Sequence, residues 1–297
     1  MPANRTVRRL ATASIGIAFL VMGLKFVAWY LTGSVALFSD ALESIVNVIA
    51  ATIAWYAIRV SHKPADDDHP FGHHKAEYFS AVAEGVLIVL AAILIIREAW
   101  FVLLTPKMLE APALGLAINA ASAAINAIWA YILIGAGRKA RSPALVADGM
   151  HISTDVITSI GVLAGLLLSL VTGWVILDPI MAIVVAVNIL WQGWKVISGS
   201  VQGLMDSALS LVEIDSIRTE ISTHATGAIE FHDLKTREAG AARFAEFHLV
   251  VPAAMSVSEA HDICDRIEAA LKKLMPGIVV LIHVEPEQKA KHGGFAV

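Results

Sequence analysis

Cysteine is almost absent: Cys264 is the only one in 297 residues. No intrachain disulfide is open to the chain, and metal sites built from thiolate clusters are excluded. Charge is scarce too, with 16% Asp, Glu, Lys and Arg, a formal net charge of -4 and no long basic run that would invite nucleic acid. No H-E-x-x-H stretch occurs, and no polar run supplies an evident nucleophile or oxyanion donor, so an intramembrane metalloenzyme is a poor reading. What fills the chain instead is apolar. It is 57% hydrophobic with a mean hydropathy of +0.69, too apolar for an ordinary soluble domain, and an integral membrane protein is expected. The first apolar segment is too long for a signal-peptide core and no A-x-A-like site follows it, so it reads as a membrane helix.

A short stretch is written twice. Ala36 to Ile49 is echoed by Ala144 to Ile157 with five identities in fourteen positions, and both copies read D-x-x-(E/H)-x-x-x-(N/D). Residues three and four apart share a helix face, so Asp40, Glu43 and Asn47 form one polar stripe and Asp148, His151 and Asp155 another. Carboxylates in apolar segments cost about 2.5 to 3.5 kcal/mol each on insertion scales, so they face one another or a wet cavity. The pair of stripes points to a divalent-metal site between two membrane helices, with isolated capping or helix-helix hydrogen bonding as the alternative.

Apolar runs of membrane-spanning length predict six helices: Leu10 to Leu31, Val35 to Val60, Lys75 to Leu104, Ala113 to Gly137, Ala144 to Val171 and Trp174 to Ser200. Arg5, Arg8, Arg9, Arg59, Lys63, Lys75, Arg138, Lys139 and Arg141 fall on one side, against Lys107 on the other, which predicts cytoplasmic termini and, for a bacterial chain, the inner membrane. Six spans make the second and fifth helices antiparallel, an inverted repeat of the kind that builds midplane transport sites, with Glu43 nearer Asp155 and Asn47 nearer His151. Asp40 and Asp148 would flank the site as proton-relay carboxylates or simply bond neighbouring helices. Trp29, Trp100 and Trp174 are expected as interfacial anchors.

From Leu204 the pattern is soluble. Helices over Leu209 to His224 and Ser256 to Leu274, with strands over Ala228 to Arg237, Arg243 to Val251 and Val279 to Val284, predict an α+β domain with helices on one face of a mixed sheet. The expected layout is a transmembrane domain over 1–203, a cytoplasmic domain over 204–287 and a disordered tail over 288–297. Outside the bilayer, Asp66, His69 and His73 offer one carboxylate and two imidazoles at spacings that suit a borderline divalent ion, against a merely solvated acidic loop. His232, His248, His261, His283 and Glu285 come from separate elements, and together they favour a regulatory metal site that links those elements over scattered surface histidines.

These residues resemble the cation diffusion facilitator family of divalent-metal/proton antiporters over about residues 8 to 287. The likeness rests on Thr32-Gly33-Ser34-Val35, the first stripe, Pro64 to His73, Lys75-Ala76-Glu77, Ala147 to Asp155, Leu204-Met205-Asp206 and His232 to Arg237. It implies a homodimer in the lipid bilayer, six membrane helices per protomer, and a cytoplasmic ferredoxin-like domain. It also implies transport ligands at Glu43, Asn47, His151 and Asp155, a loop site at Asp66, His69 and His73, a cytoplasmic site at His232, His248, His261, His283 and Glu285, and a dimer-junction salt bridge between Lys75 and Asp206. One departure stands out: the family's second helix usually carries an aspartate or histidine and then an aspartate, where this chain has Glu43 and Asn47. Proton-coupled export of Zn²⁺ is the leading expectation, with protons as counter-substrate. Fe²⁺, Mn²⁺ or Co²⁺ as substrate is the alternative within the class, and a membrane metal sensor that does not transport is the alternative outside it.

Overall fold

The computed structural model describes residues 2–32, 35–104, 113–172, 174, 176–291 and 294–296. The expected turns at Gly33-Ser34 and Thr172-Gly173, and the Thr105 to Pro112 connection, lie largely outside the described residues. Two compact units divide at Val201 and Gln202.

The first unit contains α1 (Pro2–Thr32), α2 (Val35–Ser61), α3 (Ala76–Leu104), α4 (Ala113–Ala140), α5 (Pro143–Thr172) and α6 (Leu177–Leu204), the last running on past the boundary. Five of the six contain described stretches long and apolar enough to cross a membrane. The starts follow local chemistry. Pro2 and Pro143 occupy first helical positions, where a missing N–H costs nothing, and the Ser142 hydroxyl caps α5 by accepting from Leu145 N at 3.3 Å.

Two apolar clusters lie among these helices. Val7, Ala11, Ile58, Leu133, Leu145 and Ile152 form one core among α1, α2, α4 and α5, while Ile88 and Ala92 of α3 meet Ile189 of α6 in another. Close crossings hold the pairs together. A Cβ on Gly149 of α5 would stand 2.7 Å from Ile134 Cγ1 of α4, and one on Gly85 of α3 would stand 2.7 Å from Ile197 Cγ1 of α6. At the end where α2 stops and α5 starts, both oxygens of Glu77 on α3 are used: Ser61 Oγ donates to one at 2.8 Å and Ser142 Oγ to the other.

The second unit contains α7 (Leu211–His224), β1 (Glu230–Ala239), β2 (Ala242–Val251), α8 (Val257–Leu274), β3 (Ile278–Pro286) and β4 (Phe295–Ala296). Capping boxes at Ser210/Glu213 and Ser256/Glu259 start both helices. The sheet order is β3-β2-β1-β4, with β1 antiparallel to β2 and β2 parallel to β3, so the sheet is mixed as expected. Phe231, Phe247 and Leu249 point to the helix-covered face, where they meet Ile263, Ile267 and Leu271 of α8. The period of two then puts His232 and His248 on the opposite face.

The tail differs from the disordered segment expected over 288–297. It makes a 3₁₀ turn over Glu287–Lys289, and Phe295 pairs with β1 and stacks on Phe231 at 5.1 Å between ring centroids. Phe231 is fully buried between that ring and Phe247. Phe231→Ala is expected to destabilise this unit by about 3 to 5 kcal/mol, seen as lost amide protection across β1 and β2 in hydrogen exchange.

Candidate metal centres

Within the helical unit, α2 and α5 bring Asn47, His151 and Asp155 together. His151 Nε2 lies 2.9 Å from the Asn47 side-chain oxygen, and the Asn47 amide donates to Asp155 Oδ2. All three are buried, at 6%, 4% and 7% exposure. Asn47 meets His151 as the inverted repeat predicts, and it meets Asp155 as well. Because its amide faces the carboxylate, the Asn47 oxygen faces the imidazole and Nε2 is the nitrogen that donates. His151 Nδ1 has no hydrogen-bond partner among the described residues. Asp40 and Glu43 fall on α2, but their side chains lie outside the described residues. Asp148 accepts from Ser14 Oγ of α1 at 2.6 Å, and Ser14 in turn accepts from Trp129 Nε1 of α4 at 3.1 Å.

The loop residues converge as well. Asp66 Oδ1 accepts from His69 N at 2.8 Å, His69 Nδ1 lies 3.2 Å from the same oxygen, and His73 Nε2 lies 3.3 Å from Oδ2. One ligand atom from each of Asp66, His69 and His73 falls within 4.8 Å of the others. Gly72, at φ 81°, makes the turn that brings His73 back. Desolvation works against the Asp66 carboxylate, yet the His69 backbone and ring and the charge of His73 outweigh it and hold its pKa below the ordinary value. Burial, and then the like charges of His62 and His73, push the adjacent His74 down.

In the sheet unit, strand register builds a row. His232 of β1 lies opposite His248 of β2, which lies opposite His283 of β3. Glu285 shares the face of His283 two residues on and reaches all three rings, at 3.3 Å from His232 Nε2, 3.3 Å from His248 Nδ1 and 3.7 Å from His283 Nε2. His232 Nε2 and His248 Nδ1 are buried without a hydrogen bond, and each lies 3.3 Å from an oxygen of Glu285.

His261 does not join this row within its own protomer. It is 71% exposed on α8, in the layer across the sheet, and pairs with Asp265 at 3.4 Å. Sequence spacing counts histidines but does not say which layer each one enters.

Two acidic residues of this centre are missed by the sequence reading. Glu230 Oε1 lies 3.1 Å from His232 Nδ1 and fixes the ring from behind, a role signalled by its position two residues before His232 on one strand face. Asp233 groups with His232 and His248 because the register slips between His232 and Lys235 with Asp233 at φ 52°, so neighbours in sequence serve one site. The Lys291 ammonium bonds Asp233 at 2.5 Å and lowers its pKa. Glu230→Gln should weaken metal binding here by roughly 10- to 100-fold in a chelator competition.

Comparison with known proteins decides the family. A model of the cation efflux transmembrane domain matches residues 11–205, and one of the cation efflux protein cytoplasmic domain matches residues 209–287. The chain belongs to the cation diffusion facilitator family. An uncharacterized transporter of Synechocystis, sll1263, is 42% identical over 287 residues, covering 97% of this chain and 93% of the relative. The cation-efflux pump FieF of Serratia proteamaculans is 33% identical over 282 residues, covering 95% and 93%. A solved chain of the candidate zinc transporter CzrB in its zinc form is 46% identical over 29% of this chain and 99% of that one, at a TM-score of 0.28. This cation diffusion facilitator is therefore a membrane protein of a cation-exporting family, not an enzyme, and residues 209–287 are of the family's dimerisation type. Among these centres, Asp206 near the unit boundary holds Arg237 at 3.1 Å.

Proposed function

We propose that the chain exports a divalent transition metal from the cytoplasm in exchange for protons, with Zn²⁺ the main substrate. The observation that carries this reading is the buried meeting of Asn47, His151 and Asp155 across two helices of an apolar bundle. Imidazole with carboxylate and amide oxygens suits a borderline ion. Metal enters from the cytoplasm, displaces protons from Glu43, His151 and Asp155, and leaves outward after the bundle rocks, because protonated ligands bind metal poorly. Both termini are assigned to the cytoplasm of a cell whose inner membrane holds the protein.

The protein acts as a homodimer. His261, set in the layer across the sheet from the row of its own chain, serves the row of the partner protomer. The loop triad of Asp66, His69 and His73 binds a second metal ion. The cytoplasmic centre fills when metal is plentiful and tightens the dimer, so His248→Ala combined with His283→Ala should abolish the acceleration of transport at high metal. An unchanged metal dependence would reject that regulatory role.

Asn47 gives a second reading its footing. An uncharged oxygen donor with a single imidazole leaves an oxygen-rich site that Fe²⁺, Mn²⁺ or Co²⁺ also suits. Uptake of the four ions into proteoliposomes, with and without an imposed pH gradient, separates the cases. Zn²⁺ uptake that grows with the gradient and stops with a protonophore supports the main reading, and preference for another ion supports the second. No uptake of any ion, with metal still bound at the cytoplasmic centre, supports a sensor.

A further inference from the structure

Two buried carboxyl groups in the helical unit are not explained by metal transport through Asn47, His151 and Asp155. Glu84 of α3 is 0% exposed and Asp148 of α5 is 1% exposed. Ser80 Oγ donates to Glu84 Oε1 at 3.0 Å, and Ser14 Oγ donates to Asp148 Oδ2 at 2.6 Å. Each carboxyl keeps one buried oxygen, Glu84 Oε2 and Asp148 Oδ1, with no hydrogen-bond partner among the described residues. α3 and α5 pack together, and from the Glu77–Ser142 contact Glu84 lies about two turns on along α3 and Asp148 a little under two turns on along α5, which sets the two carboxyls at nearly the same level. No hydrogen bond or ion pair joins either one to a Lys, Arg or His among the described residues.

Two buried carboxylates at one level of packed helices, each with an oxygen left over, call for a cation between them. The donor inventory chooses which. The Ser80 hydroxyl hydrogen is committed to Glu84 and the Ser14 hydroxyl hydrogen to Asp148, while the Ser14 oxygen already accepts from Trp129. That leaves two free oxygens. Zinc takes four ligands and the hard divalent ions six or more, whereas a proton needs one oxygen to bind and one to face.

We propose that Glu84 and Asp148 form a second intramembrane cation site whose occupant is a proton shared between Glu84 Oε2 and Asp148 Oδ1. Asp148 lies one helical turn from His151, about 4.5 Å along the axis. A divalent ion arriving at the transport ligands repels the shared proton, which leaves as H⁺ to water and turns the carboxyl that held it back into a carboxylate. The site thus adds a proton to the exchange that no metal ligand carries. This inference rests on the antiport reading for its role, but not for its chemistry.

The test counts protons released per Zn²⁺ bound to the full-length protein in weakly buffered detergent, for the wild type, Glu84→Gln and Asp148→Asn. Both variants keep the shape of the side chain and lose the acid. Each is expected to release about one proton fewer per metal ion than the wild type. In infrared difference spectra, metal binding should remove a protonated-carboxyl band from the wild type that neither variant shows. Equal proton counts with the band retained in both variants would overturn the proposal. So would a fall of one in the number of Zn²⁺ bound per chain in Glu84→Gln, which would make the site metallic. Neither readout requires transport, so a wild type that moves no metal would sink the antiport reading while leaving this site decided by its own measurements. If Glu84→Gln does not fold, Asp148→Asn alone decides.

Discussion

Asp155→Ala is expected to cut metal uptake into proteoliposomes by a hundredfold or more. Of the three described side chains at the α2–α5 meeting point, Asp155 alone can carry a full negative charge, since Asn47 is neutral and a histidine binds metal as a neutral ring. Removing one partner from a buried charge pair costs about 3 to 5 kcal/mol, and 1.4 kcal/mol is tenfold. The Asn47 amide that now donates to Asp155 would also lose its acceptor. Asp155→Asn is the control for folding, because its side-chain oxygen can still accept from Asn47 while the charge is gone. Both variants should lose uptake and only Asp155→Ala should lose thermal stability. Uptake within tenfold of wild type in Asp155→Asn would remove Asp155 from the pathway.

Asn47→Asp is expected to tighten Zn²⁺ binding at the transport site by roughly 10- to 100-fold, on the scale of ligand-sphere changes at metal centres, and to raise the ratio of Zn²⁺ to Mn²⁺ uptake. The amide now serves two partners of opposite need: its N–H satisfies Asp155, and its carbonyl accepts from His151. An aspartate would keep the bond to His151 but meet Asp155 with like charge, so the metal-free protein should lose stability while the metal-bound form gains it. Thermal melts with and without Zn²⁺ would show the two shifts in opposite directions. Equal affinities and an unchanged ion preference would take Asn47 out of the coordination sphere.

Much of this architecture is legible before any coordinates. Apolar runs punctuated by Ser142-Pro143 set α5 to within a residue of its expected start, and capping serines set α7 and α8. Spacing along each helix fixes the two polar stripes, and the antiparallel repeat puts Asn47 within hydrogen-bond reach of His151. Layer membership is harder. His261 carries the same chemistry as His248, and only the packing of α8 across the sheet separates them. The short strand at Phe295 has no period to read; its place is decided by the aromatic surface of Phe231. Glu84 was readable, since any lone carboxylate in an apolar helix asks for a partner, but it belongs to no repeat and so escapes a search built on repetition.

The helix crossings also bear on how the bundle can move. Gly149 brings α5 close against α4 and Gly85 brings α3 close against α6, so a shift within either pair meets the closest contacts first. The joint of α3 with α2 and α5 is packed as well. Glu77 spans that joint at one end, bonded to Ser61 on one side and Ser142 on the other, like the pin of a door. Glu84, about two turns on from Glu77 along α3, and Asp148, a little under two turns on from Ser142 along α5, sit on opposite sides of that joint.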